Sequence, residues 1–118
     1  MQAQLLVRPA MSEFWQVATT TGTREVAERI AVELVDLRLA ACVQVSGPIT
    51  STYRWQGQIE NAEEWLCTAK TTREQLSAIQ DVLKRLHPYE VPELIATPIV
   101  GGSDAYLKWL ADQLTTDH

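Results

Sequence analysis

No stretch of this 118-residue chain holds the roughly 18 to 20 consecutive apolar residues that a membrane-crossing helix needs. The opening MQAQLLVRPAMSEF also lacks the long apolar centre of a secretory signal, so the expectation is a soluble, cytoplasmic protein with no membrane partner. Cysteine is scarce. Cys42 and Cys67 stand alone, without the CxxC or Cys/His spacing of a zinc site and without the density of a disulfide scaffold. Basic charge is thin as well: ten Lys and Arg face fifteen Asp and Glu, and Lys84 with Arg85 is the one adjacent basic pair. A net charge of −5 with no basic stripe excludes a nucleic-acid footprint. Only five glycines are present, and the TTTGTRE turn at 19–25, with its one glycine and Arg24, is a poor phosphate cradle. What the chain does have is 46% hydrophobic residues, enough to fill one core.

Residues 1–12 show no period and read as a flexible extension, leaving 13–118 as a single domain. FWQVAT, bounded by TTTGT, predicts a strand. Ala27, Ile30, Ala31, Leu34 and Leu37 recur at helical spacing between Thr23 and Leu39. From Ala41 to Trp55 the pattern turns to alternation, and a three-residue loop at 56–58 pairs Trp55 with Ile59, Ile49 with Trp65 and Val45 with Ala69. In that register Cys42 and Cys67 sit on opposite faces about five positions, roughly 17 Å, out of step, which excludes a disulfide. Thr71 and Glu74 fit a capping box before the stripe Leu76, Ile79, Leu83, Leu86, and Pro88 forces that helix to stop. Val91–Val100 is rich in strand formers, and Ser103 opens a last helix along Leu107, Leu110, Ala111 and Leu114.

The order βαββαβ plus a C-terminal helix specifies an α+β domain with a ferredoxin-like antiparallel sheet in the order 4-1-3-2. Among the strands, only the second and fourth contain proline, and these are the two edges of that sheet, where a missing donor is tolerated. The long β2-β3 hairpin is oversized. Fifteen extended residues measure roughly 50 Å, against a diameter of about 35 Å for a compact domain of this length. Its tip should project with Tyr53, Trp55 and Ile59 uncovered, and together with Trp65 these form the expected subunit interface of a homo-oligomer.

HPYEVPE, residues 87 to 93, holds an imidazole, a phenol and two carboxylates around two prolines. As a helix-to-strand joint it uses Pro88, Tyr89, Pro92 and Glu93. As a metal site it offers His87 with Glu90. A histidine closing a helix and carboxylates paired with Lys70 or an arginine are the simpler assignments.

RLAACVQV (38–45), YRWQGQIE (53–60), EWLCTAKTT (64–72), HPYEVPE and DAYLKWL (104–110) together resemble the CutA family of divalent-cation tolerance proteins, across nearly everything from Phe14 to Leu114. The resemblance implies a homotrimer with no enzymatic reaction and no required cofactor, involved in the response to copper and other divalent metal ions, either by binding them or as a signalling scaffold. Members proposed to bind copper carry a cysteine in the first strand and two histidines before Pro-Tyr. This sequence has Ala18 and Leu86 at two of those positions and keeps only His87. Two alternatives use the same topology. An acylphosphatase-type hydrolase would need Arg24 and an asparagine where Gln44 stands, and an RNA-binding module would need stacking aromatics that EWLCTAKTT lacks.

Overall fold

The computed structural model describes residues 13–115. The expected extension at 1–12 lies outside the described residues, as do residues 116–118. The elements run β1 (Phe14–Thr21), α1 (Arg24–Asp36), β2 (Cys42–Trp55), β3 (Gln58–Thr72), a 3₁₀ turn (Arg73–Gln75), α2 (Leu76–Leu86), β4 (Ile95–Pro98) and α3 (Asp104–Asp112). All strand pairs are antiparallel, in the order β2-β3-β1-β4. This is the sheet expected from the sequence, with its proline-bearing strands at the edges.

The core forms where the two periodicities meet. Val43, Ala69, Val17 and Ala96 line up across the four strands, and Val17 and Ala69 pack against Ile30 and Leu34 of α1 and Ile79, Val82 and Leu83 of α2. Thr23 caps α1 by accepting the Val26 amide through its hydroxyl. Ser103 caps α3 in the same way through Tyr106 N–H, and Leu110 and Leu114 then close a smaller cluster with Ala41 and Phe14.

Three local expectations are corrected. The capping box at Thr71 does not form, because the Thr71 hydroxyl donates instead to Leu39 O at 2.7 Å and α2 begins through the 3₁₀ turn. The last strand spans Ile95–Pro98 rather than Val91–Val100. Pro92, lacking an amide proton, falls in the loop before it. The hairpin turn is Gln56-Gly57, both with positive φ (51° and 80°), so Trp55 pairs with Gln58 and Arg54 with Ile59. Such a two-residue turn matches strand twist better than the longer loop.

A second irregularity lies between Ser46 and Ile49, where a bulge at Gly47 and Pro48 shifts the register again. Below it Val43, not Val45, faces Ala69, and Cys42 lies three positions from Cys67 along the ladder, since Cys42 pairs with Lys70 and Val45 with Cys67. Three positions still put the two thiols on opposite faces, and both cysteines are free. Gly47 is required at the bulge. Its φ of 153° suits glycine, and a Cβ there would lie 2.7 Å from Trp65 Cδ1.

Candidate functional site

β1 runs out before the hairpin does. Its last partner on β3 is Trp65, opposite Thr21, so from Ile49 to Glu64 the hairpin is a two-stranded ribbon with no third strand beside it. The ribbon lengthens the molecule: extents are 42 × 40 × 24 Å, with a Cα radius of gyration of 15.6 Å, against about 13.5 Å for a compact chain of this size.

Because paired residues share a face, the register decides what each side of the ribbon carries. Ile49, Ser51, Tyr53 and Trp55 share one side with Gln58, Glu60, Ala62 and Glu64, while Arg54 and Ile59 share the other. The single-residue shift at the turn therefore separates Ile59 from Trp55, which the sequence had placed together. Trp55 is 52% and Ile59 67% exposed. Trp65 is half-buried against the Gly47 bulge of its own chain.

The HPYEVPE segment folds back along the ribbon. His87 closes α2 with its amide bonded to Leu83 O, and its ring is turned inward, 8% exposed. Its Nε2 donates to the Thr20 carbonyl at 2.7 Å, and its Nδ1 accepts the Tyr89 amide at 3.2 Å. These bonds fix the proton on Nε2 and use both ring nitrogens. The Tyr89 ring tilts against His87, with centroids 4.8 Å apart. Its hydroxyl donates to Glu64 Oε2 at 3.0 Å. Burial, the hydrogen bond to Glu64 and the charges of Glu64 and Tyr53 push the Tyr89 phenol up to about 12. The approach depends on Gly22, where a Cβ would come within 2.9 Å of the Tyr89 hydroxyl.

Between ribbon and joint lies a cleft of about 650 Å³. Tyr53, Trp55, Tyr89 and Val91 give it apolar walls, and Thr20, Glu64, Glu90 and Glu93 add polar groups. Pro88 and Pro92 flank the loop that carries Tyr89, Glu90 and Val91. Glu64 is more than nine-tenths buried, whereas Glu90 and Glu93 are exposed. None of the three has a cationic partner among the described residues. The pairing expected with Lys70 is absent, since Lys70 Nζ donates to Gln44 Oε1 at 2.8 Å. Sequence reasoning missed Glu64 and Thr20. Glu64 directly precedes Trp65, and only the distant Tyr89 gives it meaning.

The donors do not fit a closed metal centre within one chain. His87 and Glu90 belong to no group of three or more His, Cys, Asp or Glu able to hold an ion among the described residues. Cys67 is equally unsuited to coordination. Its thiol points into the core toward Ala27 O at 3.6 Å, and burial pushes it up to about 11.

Comparison with known proteins gives one answer. The family model described as "CutA1 divalent ion tolerance protein" matches residues 15–113. The divalent-cation tolerance protein CutA of Thermus thermophilus is 45% identical over 96 residues, covering 81% of this chain and 93% of its own. Protein CutA of Homo sapiens is 43% identical over 91 residues, covering 77% of this chain but only 51% of its own. The chain thus spans nearly all of the bacterial relative and about half of the human one. Among solved structures, CutA1 of Shewanella sp. SIB1 superposes with a TM-score of 0.86 at 39% identity, over 89% of this chain and 98% of that one. With a family match across the whole sheet and all three helices, the chain belongs to the CutA1 divalent ion tolerance family.

Proposed function

We propose that this protein acts as a cytoplasmic homotrimer without a catalytic reaction, and that its part in divalent-ion tolerance rests on the assembly rather than on a high-affinity metal centre in each chain. The uncovered ribbon carries this proposal. An isolated two-stranded ribbon is marginal in water, and this one leaves Tyr53, Trp55 and Ile59 exposed on its two sides. A neighbouring copy is the simplest cover, and a trimer is the assembly the family resemblance implies.

Chemistry supports the non-catalytic part. With the Tyr89 phenol at about 12 and the Cys67 thiol at about 11, neither group is poised for proton transfer or attack near neutral pH. The two free thiols suit a reducing compartment such as the cytoplasm. Divalent ions, copper included, would meet the chain at the exposed carboxylates of Glu90 and Glu93. Coordination at His87 would first have to break its bonds to Thr20 and Tyr89.

Light scattering tests the assembly. The expected mass is that of three chains, with Ile59→Ser and Trp55→Ser reporting separately on the two ribbon faces. A well-folded monomer at high concentration would sink the proposal. Calorimetric titration with Cu(II), Zn(II) and Ni(II) should show weak binding that His87→Ala leaves unchanged, and abolition of binding by that variant would assign His87 as a ligand.

A further inference from the structure

We infer that α3 is a detachable arm, turning on residues 100–102 and held shut by Arg38, which opens while the rest of the fold stays intact. Three observations carry this. The arm has a small cluster of its own: Leu110 and Leu114 pack with Ala41 and Phe14, whereas the main core around Ile30, Leu34 and Ile79 contains no residue of α3. Leu110 is the one buried residue within the helix, and Tyr106 and Trp109 are each 42% exposed. The connection before the arm is loose. Ile99 N–H bonds Phe14 O at 2.8 Å, but Val100, Gly101 and Gly102 beyond it are exposed, and a Cβ on Gly101 would meet nothing within 4 Å. The third observation lies at the far end. Arg38, just past α1, holds a left-handed backbone (φ 59°), a region that favours glycine. Its Nη1 donates to Gln113 O at 3.1 Å, and its carbonyl accepts the Thr115 amide at 3.0 Å. The buried Gln75 side chain adds a bond from Nε2 to Thr115 O at 2.7 Å.

A guanidinium at the C-terminus of α3 satisfies a carbonyl that the helix leaves open and meets the negative end of its dipole. Glycine at position 38 would relieve the backbone but has nothing to reach Gln113 with, so the strained arginine makes sense as a latch. Segments with few buried apolar side chains open at free energies below that of global unfolding. Two leucines and a few terminal bonds, set against the whole main core, put α3 at the low end of that range. Opening bares Phe14 and Ala41 at the end of the sheet where β1 begins, whereas the ribbon departs beyond Thr21 at the other end. The arm is therefore a movable element remote from the ribbon tip.

The test is native-state hydrogen exchange of the full chain at neutral pH, read by NMR at the Leu110 and Ala111 amides of α3 and at the Leu34 and Leu83 amides of the main core. After correction for intrinsic rates, α3 should exchange at least about a hundredfold faster than the core. Ile79→Ala, in the main core, should speed core exchange at least about thirtyfold and leave α3 unchanged, because that core is still formed when the arm is open. Val82→Ala asks the same question more gently if Ile79→Ala does not fold. Arg38→Ala and Arg38→Gly should both speed α3 exchange about fivefold. The glycine variant should be the more stable of the two in denaturant, since it alone relieves the positive φ. Exchange of α3 at the core's rate, with an equal response to Ile79→Ala, overturns the inference, and that pattern is expected if a neighbouring copy pins Tyr106 and Trp109. Unchanged α3 exchange in both Arg38 variants removes the latch and overturns it as well. Light scattering reads the chain count separately.

Discussion

The two halves of the β2–β3 hairpin are one covalent element with opposite surroundings. From Cys42 to Ser46 and Leu66 to Lys70 the ladder has β1 as a third strand and helices over one face, so Cys67 and Ala69 are buried. Beyond the bulge the same alternation continues with no third strand and no helix beside it, only the 87–93 joint reaching its base at Glu64, and Tyr53, Trp55 and Ile59 are exposed. Strand propensity and pairing are alike in both halves. The difference shows that a ladder of hydrogen bonds sets direction and register, whereas burial sets stability.

The largest expected effect separates the halves. Ile30→Ala, beneath the proximal half, should cost about 3 kcal/mol in denaturant unfolding at every protein concentration. Ile59→Ala, on the distal half, should cost little at high concentration and more on dilution, because in the proposed trimer its contacts are with a neighbouring copy. Equal, concentration-independent losses would erase the distinction. Gly47→Ala strikes the boundary between the halves. A Cβ 2.7 Å from Trp65 Cδ1, at a φ that disfavours side chains, should cost about 2 kcal/mol and change Trp65 emission.

The smallest effect is a pH dependence confined to the cleft. An unfolded tyrosine ionises near 10.0, whereas Tyr89 in the fold ionises at about 12. Between those values the unfolded chain releases a proton that the folded chain keeps. The contribution to stability is therefore complete below pH 10 and disappears as pH rises through 12. Tyr89→Phe should lack this decline, and a difference titration of phenolate absorbance should place the missing group near 12.

The helix faces were legible in the sequence because each follows from spacing within one segment, and the strand order because the βαββαβ succession and the prolines of the second and fourth strands agree on it. Register was not. Pairing Trp55 with Ile59 follows from the tendency of apolar side chains to share a buried face, but both are exposed at the ribbon tip, and the Gln56-Gly57 turn decides instead. Thr71 misled for a related reason. Its hydroxyl looked like a cap until the buried Leu39 carbonyl claimed it. The joint at 87–93 was readable from Pro88 alone, and its two exposed glutamates from composition. The buried Glu64 was not, since it is completed by a tyrosine 25 residues away.

Gly22 links positions far apart in the chain. With 2.9 Å between its missing Cβ and the Tyr89 hydroxyl, any larger residue there must displace the ring that holds Glu64. Among homologous sequences, positions 22, 64 and 89 should therefore change together: a lineage that gains a side chain at 22 should also lose the phenol or the carboxylate. A set of relatives in which they vary independently would show that this three-way constraint is peculiar to one molecule rather than inherited.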